Sequence, residues 1–162
     1  MLFKDLSAMV TRYQINLKIL LQCLEELMSV FSGRCLCGKV TYQSYSSPKA
    51  IFNCHCDDCR RATGSVFGTN LFVPDNKVEI KGKVSIFTHT SDSGSTMTKL
   101  FCPNCGSLLF GKNSAKPNVM SIRAGTVEQV EIIKPIINVF MSKKIPSTPI
   151  DENLNKAPRM PS

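Results

Sequence analysis

The sequence predicts a mainly β domain, a set of packed short antiparallel sheets built around clusters of cysteine, with a helical extension at its N-terminal side. Three observations carry this expectation. From Gly33 onward, short runs rich in Val, Ile, Phe, Thr and Tyr alternate with Gly, Pro, Asn and Ser. Seven of the 8 cysteines fall into three tight groups. Residues 1–30 differ in kind, placing Leu17, Leu20, Leu21, Leu24, Leu27 and Met28 at helical spacing.

The N-terminal stretch is read as a packing helix or as a non-native extension ahead of a true start at Met28. Its charges cancel, Lys4, Arg12 and Lys18 against Asp5, Glu25 and Glu26, so it offers no basic face to a lipid surface. Arg12 and Lys18 interrupt its apolar residues and no small-residue cleavage site follows, unlike a secretory signal. No uncharged run approaches the ~20 residues that span a bilayer. The chain is therefore read as cytoplasmic, where crowded cysteines hold metal more often than they form disulfides. Cys23 has no cysteine neighbour and is read as a free thiol, buried or at the surface.

Nine runs follow as strand candidates: KVTYQSY, AIFN, SVFGTNLFV, KVEIKG, KVSIFTHT, STMTKLF, SLLFGK, NVMSIRAG and IINVFM. Pro74 to Asn76, Lys81 to Lys83, Ser91 to Ser95 and Lys112 to Asn118 are the connecting turns. The C-terminal stretch is rich in proline and poor in apolar pattern, and is read as lying across the surface or partly disordered. The expected division is a helical extension over residues 1–30, a β domain over 31–145 and a proline-rich tail over 146–162.

The cysteine groups are Cys35-Leu-Cys37, Cys54-His-Cys56-Asp-Asp-Cys59 and Cys102-Pro-Asn-Cys105-Gly. Four thiolates close a tetrahedral zinc site, so the first and third groups together satisfy one ion. Glycine after Cys37 and after Cys105 permits the tight turn by which a loop curls its amides toward metal-bound sulfur. The middle group then offers three sulfurs and an open fourth position, the arrangement of a catalytic ion. Other partitions stand beside this one: His55 as a fourth ligand closing the middle site, the middle group paired with the third, disulfides, or an iron-sulfur cluster. His55 and Cys54 are adjacent, so an extended backbone would send them to opposite sides.

Around the middle group, Arg60 and Arg61 are candidates to hold the carboxylate of an anionic substrate, set against plain solvated charge. Asp57 and Asp58 either orient ligands or cap the turn at Cys59. His55 is a candidate general base, set against a histidine held by a backbone carbonyl. Thr63 and Gly64 shape the turn, and His89 is given no role. The formal charge of +8 suits anionic partners. Seven ligating thiolates with two zinc ions would leave about +5. The basic residues are scattered and aromatic single-strand motifs are absent, which argues against nucleic acid.

With these residues in hand, the chain resembles the glutathione-dependent formaldehyde-activating enzymes, a family that includes centromere protein V-like domains. The resemblance runs from about Gly33 to Met141, through GRCLCGKVTY, CHCDDCRRATGSVFGTNLFVP, the Ser93-Gly94 pair, FCPNCGSLLF and IRAGTVE. It implies a β-tent fold, with a structural zinc on Cys35, Cys37, Cys102 and Cys105 and a catalytic zinc on Cys54, Cys56 and Cys59, two per chain. It also implies a carbon-sulfur lyase activity like that of S-(hydroxymethyl)glutathione synthase, joining a small thiol such as glutathione to a small aldehyde such as formaldehyde. Where members carry a histidine and then a tryptophan near the end, this chain has Asn138 and Ser147. The competing expectation is a non-catalytic, zinc-stabilised module that binds protein or nucleic acid.

Overall fold

The computed structural model describes residues 30–161 together with Gln14. The helix expected over residues 1–30, and Cys23 with it, lies outside the described residues apart from Gln14 and Val30. Along the described chain run β1 (Phe31–Arg34), β2 (Thr41–Ser44), β3 (Ala50–Cys54), the helix α1 (Asp57–Thr63), β4 (Gly68–Pro74), β5 (Val78–Lys81) and β6 (Ser85–Thr90). They are followed by β7 (Thr96–Phe101), β8 (Leu108–Asn113), β9 (Val119–Arg123), β10 (Ile137–Val139) and β11 (Asn155–Lys156). The mainly β expectation is met.

Two sheets form. The smaller pairs β1, β2 and β5 in antiparallel order, and the larger runs β11-β10-β3-β4-β9-β8-β7-β6. Pairing is antiparallel as expected except at β10, which lies parallel to both β3 and β11. The expected turns overlap the strand ends, Pro74 closing β4, Lys81 closing β5 and Lys112 and Asn113 closing β8, and the chain reverses just beyond them; Gly82 and Gly94 take positive φ of 99° and 81°, a conformation that glycine adopts without steric cost. Strand β1 escapes the sequence reading because Phe-Ser-Gly-Arg contains a single β-former.

Alternation within the strands directs one face of each sheet inward. Phe31, Val40 and Tyr42 on the smaller sheet's side meet Leu71, Val73, Phe110 and Ile122 of the larger one in a single core. Tyr42 packs edge-to-face on Phe110 with ring centroids 5.1 Å apart, and its hydroxyl reaches Thr126 Oγ1 at 3.0 Å. Gly33 is obligatory here, since a Cβ would run into the Thr126 carbonyl and the Tyr42 ring.

The larger sheet is strongly curled. β6 stands five places from β3 in the strand order, yet His89 of β6 lies 3.0 Å from Asp58 at the start of α1, the helix that follows β3. The curl folds the sheet around α1 and the cysteines beside it. The C-terminal tail runs along the opposite margin, where Ala157 donates to the Asn138 carbonyl and Met141 donates to the Ala157 carbonyl.

Burial sets the expected response to truncation. Phe110 is fully buried, whereas Phe87 on the outer strand β6 is 59% exposed. Phe110→Ala should cost about 3–5 kcal/mol and Phe87→Ala no more than about 0.5 kcal/mol, read from urea-unfolding midpoints of the metal-loaded protein.

Candidate metal centres

Two groups of sulfur atoms converge, and within each group the Sγ atoms all lie within 4.8 Å of one another. The first joins Cys35 and Cys37, on the turn after β1, to Cys102 and Cys105, on the turn between β7 and β8. Cys35 Sγ lies 3.5 Å from Cys37 Sγ, and Cys37 Sγ lies 3.8 Å from Cys102 Sγ. A tetrahedron of sulfurs each about 2.3 Å from zinc has edges of about 3.8 Å. The spacing therefore fits such an ion, and these four residues could hold one.

Each half of the first group is a short turn ending in glycine. Gly38 donates to the Cys35 carbonyl and Gly106 to the Cys102 carbonyl, and both glycines sit at positive φ, 74° and 73°. Backbone and hydroxyl groups face the sulfurs. The Val40 amide donates to Cys35 Sγ at 3.3 Å, and Ser107 Oγ lies 3.3 Å from Cys105 Sγ. The Ser107 contact, with backbone amides behind it, draws the Cys105 thiol down to about 5. Cys37 is exposed, so this centre lies at the surface.

The second group is Cys54, Cys56 and Cys59. Cys54 ends β3, and Cys56 is the N-cap of α1, its sulfur accepting from the Cys59 amide at 3.3 Å. The helix corrects the expectation of a turn after Cys56. Asp57 and Asp58 occupy its first turn, Arg60 and Arg61 its last, and Gly64 closes it in the left-handed conformation. Cys54 Sγ lies 3.3 Å from Cys56 Sγ. No fourth Cys, His, Asp or Glu joins this trio among the described residues, and none of the seven cysteines is in a disulfide.

His55 lies outside the trio. Its amide donates to the Val139 carbonyl, its Nε2 lies 3.4 Å from Asn138 Oδ1, and its ring packs on Phe67. The residue is fully buried, and burial lowers its pKa, favouring the neutral ring. Asn138, itself buried, thus stands beside it. Arg60 donates to Asp57 at 2.9 Å, and Lys143 also approaches Asp57. The Arg60 contact holds the Asp57 carboxyl below its ordinary range. His89 is the partner of Asp58.

Three buried polar residues escape the sequence reading. Arg123, at the end of β9, is 5% exposed and donates from Nη1 to Cys59 Sγ at 3.7 Å. The same nitrogen donates to Asn70 Oδ1, and Asn70 is fixed by its own bond to the Gly68 carbonyl. Lys99 of β7 is 4% exposed. The Cys59 thiol is pulled down first by its contacts with Cys54 and Cys56, and then by the charges of Arg123 and Lys99. The contacts act on Cys54 in the opposite direction and push its thiol up. For Cys56 the Cys54 contact pulls down, but Cys59 and burial outweigh it and leave the thiol at about 11.

A cavity of about 530 Å³ meets the first centre at Cys105 and approaches the second through Gly68 and Arg123, the neighbours of Cys59. Thr63, Phe67, Thr69, Gly106, Arg123 and Thr126 are among the residues that line it. Gly68 keeps the cavity close to the trio, because a Cβ there would lie 3.3 Å from Arg123 Nη1 and 3.4 Å from Cys59 Cβ. Neither Arg60 nor Arg61 lines it, and the cation that does is Arg123.

The family model described as glutathione-dependent formaldehyde-activating enzyme matches residues 30–143, which include every cysteine of both centres. A crystal structure of a Rhodobacter sphaeroides protein is similar at a TM-score of 0.49, with 18% identity, covering 61% of this chain and 89% of that one. No curated protein matches the chain.

The Asn70 contact gives the site a measurable dependence. Asn70→Ala would leave a buried guanidinium N–H without its oxygen partner and should cost about 1–3 kcal/mol, read by thermal or chemical unfolding of the metal-loaded protein.

Proposed function

As this chain belongs to the glutathione-dependent formaldehyde-activating enzyme family, we propose that it is a zinc-dependent carbon-sulfur lyase that forms or breaks an adduct between a small thiol and a small aldehyde. Glutathione and formaldehyde are the proposed pair. The observation that carries the reading is the contrast between four sulfurs in one centre and three in the other. Cys35, Cys37, Cys102 and Cys105 would hold a structural zinc, and Cys54, Cys56 and Cys59 would hold a second with room for one ligand from outside the chain.

When bound at the trio, zinc would keep the substrate thiol as a thiolate at neutral pH, where a free thiol of pKa about 8.5 is mostly protonated. The chain's own residues do the rest. The cavity beside Cys59 receives the body of the thiol, and the hydroxyls of Thr63, Thr69 and Thr126 supply polar contacts along its walls. In the forward direction the sulfur adds to the aldehyde carbon, a carbon-sulfur bond forms, and the carbonyl oxygen takes up the proton that the thiol gave up. The reverse reaction returns it.

Buried and neutral, His55 acts by position, bracing the Cys54 to Cys56 segment against Asn138 and Phe67. Arg60, paired with Asp57, and the exposed Arg61 add positive charge near the trio for an anionic thiol. Seven unpaired thiols suit a reducing compartment such as the cytoplasm.

The test is Cys56→Ser, which keeps a good helix N-cap while removing one sulfur. Wild type should carry two zinc ions per chain by elemental analysis, and the variant one, with its β circular dichroism retained. Exchange between ¹³C-formaldehyde and its glutathione adduct, followed by NMR, should be accelerated by wild type and at least tenfold less by the variant. Equal exchange rates for the two proteins would favour the binding-module reading, as would a variant that loses its fold along with its metal.

A further inference from the structure

This inference rests on the reading of the Cys54, Cys56 and Cys59 trio as a metal site completed by an outside ligand. Arg123 and Lys99 come from neighbouring parts of the curled sheet, β9 and β7, and both are more than nine-tenths buried. Among the described residues, neither forms an ion pair with a carboxylate. The nearby acids are engaged elsewhere, Asp57 with Arg60 and Lys143 and Asp58 with His89. Arg123 Nε has no partner either. A buried cation without a counter-charge is costly, and the negative charge these two meet is that of the sulfur centre, which Arg123 touches at Cys59 Sγ, 3.7 Å away, and on which Lys99 acts through its charge.

The formal charges do not balance with the trio alone. Three thiolates around a divalent ion carry one net negative charge, against two buried positive ones. The closed centre differs: Cys37 is exposed, and Lys39 beside it bonds to the neutral Asn104, so water can screen its charge. At the trio, one monoanion would bring the sum to neutrality, whereas a neutral donor would leave a buried positive charge in excess.

We propose that Arg123 and Lys99 make the three-sulfur centre selective for an anionic fourth ligand, a thiolate or another small monoanion, over a neutral nitrogen or oxygen donor. Arg123 is the stronger determinant because it touches Cys59 and lines the neighbouring cavity. Asn70 fixes its orientation. Both residues act through the sulfur centre and are positioning residues.

Full-length protein loaded with cobalt(II) in place of zinc gives a direct readout, the sulfur-to-cobalt absorption, without any need for turnover. It is titrated at constant pH with azide, 2-mercaptoethanol and imidazole. Wild type should bind azide and the thiol more tightly than imidazole. Arg123→Met should lose at least tenfold in anion affinity with imidazole affinity within twofold, and Arg123→Lys should retain most of the preference. Should Arg123→Met fail to hold two metal ions, Lys99→Met carries the same comparison. Unchanged anion affinity in the charge-removing variants, or a wild-type preference for imidazole, overturns the proposal. Arg123-dependent binding of azide without any binding of thiol would uphold the charge selection and remove the thiol-enzyme reading. Thiol binding equal in wild type and Arg123→Met would do the reverse.

Discussion

Sulfur atoms brought within 3.3 to 3.8 Å of one another set the terms for this structure. Such neighbours cannot all ionise unless positive charge or donated hydrogen bonds stand close by, because like charges at this range repel strongly in a poorly screened interior. Much of what surrounds the two centres answers that constraint. At the surface the answer is local, with glycine turns, the Val40 amide and the Ser107 hydroxyl facing the sulfurs. In the interior it is long-range in the chain, since Arg123 touches Cys59 from β9 and Lys99 acts on it through its charge from β7. The two centres are thus built on different physics although their ligands are of one kind.

The cysteine groups were legible in the sequence because short spacing forces proximity whatever the fold. Cys54, Cys56 and Cys59 must be neighbours, and two paired turns, each followed by glycine, suggested a shared ion. The strand runs were legible for the same local reason. Helix α1 was not, since seven residues give too short a window for helical periodicity and closely spaced cysteines fit a turn as well as a helix. The Asp-Asp start, Arg-Arg finish and following glycine were the signals that could have found it.

Arg123 and Lys99 were hidden for another reason. Each sits in a strand where alternation distinguishes one face from the other but does not say that the inward face meets a sulfur centre formed some forty to seventy residues earlier in the chain. Arg123 did leave one trace, a charge between Ile122 and Ala124 in a run that otherwise reads as core. Arg60 and Arg61 directly follow Cys59 in sequence, yet helical geometry turns Arg60 toward Asp57 and neither residue lines the cavity. Sequence neighbours of a ligand are easily overvalued, and the residues that complete its environment arrive through topology.

The parallel pairing of β10 with β3 and β11 places Val139 and Ala157 against the trio. In a chain synthesised from its N-terminal side, Cys59 emerges about a hundred residues ahead of Ala157, a delay of roughly 5 to 20 s at typical elongation rates. The closed centre has all four of its thiols by residue 105, but the trio waits without its back wall until the segment from 137 to 157 is made. During that interval its thiols are open to whatever metal or oxidant the surroundings hold. The centre best enclosed in the finished protein is the one with the longest exposed infancy.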